Sequence, residues 1–461
     1  MTQHSDHENW HPSPVFLFLF ILLAILSAAC YLLGDEDAFP TPRELSLVPH
    51  RGDAPSDRII REAQAKVEAG LVPSAALERL GWAYVAKSRE SFDAGYLLLA
   101  EACASAIESL PQSGKSAPEA LLLRGHVFTQ WHRFAEAESI ARELVSRRGI
   151  PFDHLLLGDA LMEQGKLNEA IASYQQGVDL RPDLQSYARV GWIRWLIGDL
   201  DGAIEATGRA VNAGSRQDPE ALAWVTTRLA SFHFTAGHSE AAEKSVRAAL
   251  ELRPSYPPAL LLSGRILLSR GEAAGAVPLL ETAAAANPMP DYLWLLAEAL
   301  REAGRAAEAD AVGNRLRKSG PAIDGRTMSL FYSTRGESPE EAEALAREEL
   351  SHRQDIFTHD ALALALHGLG RHSEAREHID LAVREGTEDG RLFLHAAMIA
   401  ASIGESEEAA DWLSAATDLR HTLLPSEQRR LAALQASLTS TIPPVTSVAG
   451  GDISNQEEKK P

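Results

Sequence analysis

Two cysteines, Cys30 and Cys103, are all that 461 residues contain. They cannot form a disulfide framework or a cysteine-based zinc site. Basic residues are also scarce. The 44 Lys and Arg face 64 Asp and Glu, which sets the formal net charge at −20, and only eight of the basic residues are lysine. Phosphate backbones are held by basic patches, so this balance argues against a nucleic-acid partner. Aromatic residues make up 6% of the chain, so any cluster of them carries information.

Catalytic signatures are missing as well. No Gly-x-Ser-x-Gly or paired Cys-x-x-Cys occurs, and no Gly-x-Gly-x-x-Gly stands in strand context. Gly158 to Lys166 has the wrong spacing for a phosphate loop and no strand before it. His372 and His378 are six residues apart and do not share a helix face as a zinc helix requires. The sequence offers no catalytic residue, cofactor site or metal site, and the expectation is a non-enzymatic protein.

One charge-free apolar run stands near the start, from Val15 to Leu33. As a helix it would span about 28 Å, close to the hydrocarbon thickness of a bilayer. The run is read as a transmembrane helix over 15–34, which predicts a single-pass cell-membrane protein. A cleaved signal peptide would have basic residues in 1–14, and there are none. A lipidated Cys30 would need its leucine one place closer. Counting Lys and Arg near the ends favours a cytoplasmic placement for the rest of the chain. Residues 1–14 read as a polar tail, 35–57 as a proline-rich linker, and 439–461 as a disordered tail.

What fills the chain between is a repeat. Glycine recurs as Gly165, Gly198, Gly237, Gly271, Gly304, Gly336, Gly370 and Gly404, with gaps of 33, 39, 34, 33, 32, 34 and 34 residues. Five residues after seven of these glycines comes an alanine: Ala170, Ala203, Ala242, Ala276, Ala309, Ala375 and Ala409. After Gly336 the alanine, Ala342, is one residue late. A period near 34 with small residues at fixed phases predicts stacked helix pairs. The glycine ends each first helix in a left-handed conformation. About ten units begin near Ser74, Pro118, Pro151, Leu184, Ala223, Pro257, Pro290, Ala322, Ile356 and Gly390. A capping helix follows over about 426–438. Together they predict an all-α solenoid over 58–438.

In the unit from Pro151, Gly158, Leu161, Ala170, Tyr174 and Pro182 hold the phases at which the tetratricopeptide repeat has its small, large, small, aromatic and proline residues. The chain therefore resembles that family. The resemblance implies a right-handed superhelical solenoid of antiparallel helix pairs whose first helices line a concave groove. Carrying the groove phases over selects Trp82, His126, Phe152, Asp159 and Trp192. It also selects Trp195, Trp224, Phe234, Arg265 and Trp294, the last fitting a buried position if the frame moves by one. Five of the eight tryptophans thus fall on one face, where they are suited to anchor a partner. The family's terminal-carboxylate clamp uses a lysine and an asparagine at phases held here by Leu155 with Asp159, Ala188 with Trp192, and Leu261 with Arg265. That subtype is not expected. The expected role is a membrane-tethered scaffold or assembly factor that holds a peptide or helix of another protein in an aromatic groove. The alternative is a structural subunit of a larger membrane or envelope-assembly complex.

Overall fold

The computed structural model describes residues 39–441, apart from residue 71 and residues 112–116. Among the described residues the chain is helix and turn, without a strand. Two helices lead in, α1 (Pro42–Ser46) and α2 (Pro55–Glu68). Ten pairs follow. They are α3 (Pro73–Ser91) with α4 (Gly95–Glu108), α5 (Pro118–Gln130) with α6 (Phe134–Arg147), and α7 (Pro151–Glu163) with α8 (Leu167–Leu180). Next come α9 (Leu184–Leu196) with α10 (Leu200–Ala213), α11 (Pro219–Thr235) with α12 (Ser239–Leu252), and α13 (Pro257–Ser269) with α14 (Ala273–Ala286). The last four are α15 (Pro290–Glu302) with α16 (Ala306–Ser319), α17 (Gly325–Arg335) with α18 (Pro339–His352), α19 (Ile356–Gly368) with α20 (His372–Val383), and α21 (Gly390–Ser402) with α22 (Ser406–Asp418). Helix α23 (Pro425–Thr441) ends the described chain.

The local causes are legible. Proline opens many of the helices at a position where its missing N–H leaves no bond unmade. All eight period-setting glycines have positive φ, from 67° at Gly336 to 84° at Gly404. In the α5–α6 turn, which lacks the glycine, His132 takes the left-handed conformation with φ 57°. The alanines that follow are fully or almost fully buried, which lets paired helices approach. Gly158 shows the same need: a Cβ there would lie 2.3 Å from the Tyr174 ring.

The irregular units also resolve. The wide gap between Gly198 and Gly237 is absorbed mainly by α11, which has 17 residues where α9 has 13. It starts at Pro219, ahead of the expected Ala223. The weak unit near Ala322 begins with a 3-10 turn, Gly320–Ala322, before α17. Its second helix opens after Ser338 in a left-handed conformation, which explains the displaced Ala342.

Asp57 lies in the first turn of α2, where it accepts the Ala54 N–H at 2.9 Å. One local expectation needs correction. The stretch read as a linker carries α1 and packs: Tyr84 donates its hydroxyl to the Ser46 carbonyl at 2.7 Å, and Gln64 donates to the Val48 carbonyl at 2.8 Å.

The single-pass membrane placement is not supported. Among the described residues no helix is long and apolar enough to cross a membrane. The run from Val15 to Leu33 lies outside them, as do the tails 1–14 and 442–461, and the membrane placement is set aside.

The solenoid winds back on itself. Contacts join first helices in the middle of the chain to turns 187 to 193 residues further on. The Gln354 N–H donates to the Glu163 carbonyl at 3.0 Å, and the Thr387 hydroxyl donates to the Leu196 carbonyl. His421 donates to the Phe234 carbonyl at 2.7 Å. A single buried apolar cluster runs through these contacts from Leu121 to Leu424. The concave side of a stacked array, usually open to solvent, is here largely covered by the array's own later repeats.

Candidate functional site

The first helices α7, α9 and α11 place their inward rows side by side. Each helix contributes one residue per turn, so residues three or four apart share a face. The outermost row holds Phe152, Gln185 and Trp224, each thirteen residues before its turn glycine. Phe152 and Trp224 remain 40% and 37% exposed, high values for such large apolar side chains. Arg181 lies over the Phe152 ring at 5.7 Å.

One turn deeper stand Arg189 and Arg228. Arg189 grips Asp159 with two bonds of 2.7 and 2.6 Å, and Asp159 also accepts the Tyr174 hydroxyl at 2.8 Å. Arg228 is held differently. Its guanidinium lies 4.1 Å from the Trp192 ring centre and 5.6 Å from that of Trp224. Burial pushes its pKa down to about 10, so it keeps its charge near neutral pH.

Further along, Trp82 and His126 meet at 5.4 Å between ring centres. Both are half-buried. Burial pushes the His126 imidazole down to about 4, with Arg89 and Arg189 adding to the effect. It is therefore neutral at pH 7.

Other expected groove residues are engaged by the chain itself. Trp195 is only 8% exposed. It stacks on Phe357 at 5.7 Å and donates its indole N–H to the Glu388 carbonyl at 3.1 Å. Phe234 is buried under His421, edge to face at 5.3 Å. Arg265 donates to the Thr422 carbonyl at 2.7 Å. Trp294 is buried against Phe331 with Arg391 over its ring at 5.2 Å. All four are covered by residues of later repeats. The shifted frame describes Trp294 better than the groove frame does.

Arg228 was not among the residues selected from the sequence. The signal for it was available: it follows Trp224 by four residues, one helical turn, and so shares its face. The covering residues Phe357, Glu388 and His421 had no such signal, since each lies far along the chain from what it touches. Among the described residues, no group of three or more His, Cys, Asp or Glu side chains is placed to hold a metal ion. His378 instead meets His359, with Nδ1 atoms 3.0 Å apart.

This geometry defines an α-helical repeat protein that presents side chains from successive first helices along one inward strip. Family models place it further. A TPR-repeat model matches residues 158–186, and a tetratricopeptide-repeat model matches 227–288 and 261–322. The matched stretches carry tetratricopeptide repeats. Among solved structures, a crystal structure of MamA is 20% identical, covering 35% of this chain and 93% of that one with a TM-score of 0.29. A crystal structure of PilW, described as a widely conserved type IV pilus biogenesis factor, is 14% identical, covering 44% and 92% with a TM-score of 0.38. No curated protein matches the chain.

Proposed function

We propose that this protein is a non-enzymatic interaction scaffold that receives an extended segment of another protein on the inward strip of α7, α9 and α11. The observation that carries this reading is the pair of exposed aromatics, Phe152 and Trp224, at one phase of the repeat. Large rigid side chains held by a packed scaffold lose little entropy on binding and make good anchors. Asp159 and Trp192 complete the strip, and Trp82 on α3 and His126 on α5 extend it toward the N-terminal repeats. Trp195, Phe234, Arg265 and Trp294 shape it from below, where covering repeats hold them.

The test is site-specific photo-crosslinking in cells. A photoreactive phenylalanine analogue at position 152 or 224 should give a crosslink to one discrete partner. The same group at the outward-facing Glu205 serves as control. Equal crosslinking from all three positions would reject the strip as the binding surface.

A further inference from the structure

The inward arginines are not equivalent. Arg189 holds Asp159, Arg326 holds Asp355, and Arg391 holds Glu427, each at 2.6 to 2.8 Å. Arg265 lacks a carboxylate and donates to the Thr422 carbonyl at 2.7 Å. Among the described residues Arg228 makes neither an ion pair nor a hydrogen bond. It lies between two indole faces, Trp192 at 4.1 Å and Trp224 at 5.6 Å. A cation held this way gains from the ring quadrupoles but keeps all five of its N–H donors unused. The aromatic faces fix the plane of the fork, so less freedom is lost when a carboxylate is met by two parallel bonds.

The surrounding charge makes the site more specific. The chain as a whole carries −20, so an acidic segment meets repulsion over much of its surface. Next to Arg228 the strip offers apolar contact on the exposed Trp224 and, two repeats away, on Phe152.

Resting on the scaffold reading above, we propose that the occupant of this strip is an acidic extended segment of a partner protein. One of its carboxylates pairs with Arg228, and a neighbouring apolar side chain lies on Trp224. The complementarity is between an unpaired, pre-oriented guanidinium and a carboxylate. Burial assists it, because the low-dielectric setting that lowers the pKa of Arg228 also strengthens a pair formed there.

The experiment uses the full chain and two fluorescein-labelled eight-residue peptides, one alternating Glu with Leu and Phe, the other with Gln in place of every Glu. Fluorescence anisotropy should show the acidic peptide binding at least tenfold more tightly than the Gln peptide. Arg228→Gln should weaken the acidic peptide about tenfold and leave the Gln peptide unchanged, while Arg228→Lys should fall between because it keeps charge without the planar fork. The peptide comparison needs no variant, so it holds even if a substitution disturbs folding.

Equal binding of the two peptides, or unchanged binding by Arg228→Gln, overturns the acidic partner. If Trp224→Ala still abolishes that binding, the scaffold reading survives. If binding appears only in a chain ending at residue 441, the occupant is the chain's own C-terminal segment and the proposal fails. It fails too if Arg228→Gln abolishes self-association, which would assign the strip to a second copy. Absence of peptide binding together with absence of position-specific crosslinks rejects both readings.

Discussion

Gly198 and Gly304 hold the same phase of the repeat and the same backbone, with φ of 78° at each, yet they are constrained differently. A Cβ on Gly304 would meet nothing within 4 Å. A Cβ on Gly198 would lie 2.8 Å from the Gly386 carbonyl oxygen, and one on Gly165 would lie 2.5 Å from that of Gln354. In the open turns, glycine is needed only to reverse the chain. In the covered turns it also lets a distant repeat pack against the backbone. The tryptophans divide along the same line: Trp195 is sealed by Phe357 and Glu388, and Trp224 faces solvent. One sequence period thus supplies both a core and a surface, according to what the superhelix brings over it.

The covered side should be the costly one to disturb. Trp195→Ala removes a ring packed on Trp192, Phe232 and Phe357. It should lower stability by about 3–5 kcal/mol in urea unfolding. A loss below about 1 kcal/mol would mean the later repeats do not close over it in solution.

The glycines come next. Gly304→Ala should cost about 1–2 kcal/mol, the penalty of a left-handed alanine. Gly198→Ala carries the same penalty plus the conflict with Gly386, for a total of roughly 2–5 kcal/mol. Equal urea midpoints for the two variants would erase the contrast between covered and open turns.

Acid provides a third probe. Burial pushes His132 and His359 down to about 4, with Arg353 the next cause for His132 and His378 for His359. Unfolded histidine titrates near 6.5. The folded forms bind protons less readily, so their contribution to stability is complete above about pH 6.5 and is lost as pH falls toward 4. The urea midpoint should therefore drop between pH 7 and pH 5. His132→Gly supplies the residue that the equivalent turns use and should make that drop shallower. An unchanged slope would show that His132 is not buried by the later repeats.

The smallest stability effect belongs to the exposed strip. Trp224→Ala should lower stability by about 1 kcal/mol, since the partly exposed ring also contacts Arg228. It should nevertheless abolish position-specific partner capture. A large stability loss there would move Trp224 from the open side to the covered one.

Much of the fold was legible because its causes are local. Glycine at each turn, proline at helix starts and buried alanine five residues on are consequences of backbone geometry and close helix packing. They repeat wherever that geometry repeats. The candidate site was only half legible. Phase selected Phe152 and Trp224, which the structure leaves 40% and 37% exposed. The same rule selected Phe234 and Arg265 without showing that His421 and Thr422 would cover them. Nothing near positions 234 or 265 encodes a contact 187 or 157 residues away.

The sequence by itself determined the helix pairs, their order and the side of each first helix that turns inward, because these follow from a period close to 34 and from residues that only certain backbone conformations accept. Tertiary structure alone decided which inward residues became interior and which stayed available. That choice depends on the accumulated rotation of successive pairs, a sum over many small packing angles that no single repeat contains. Arg228 shows the result: a common residue on a common helix face, left unpaired between two tryptophans where the winding stops short of covering it.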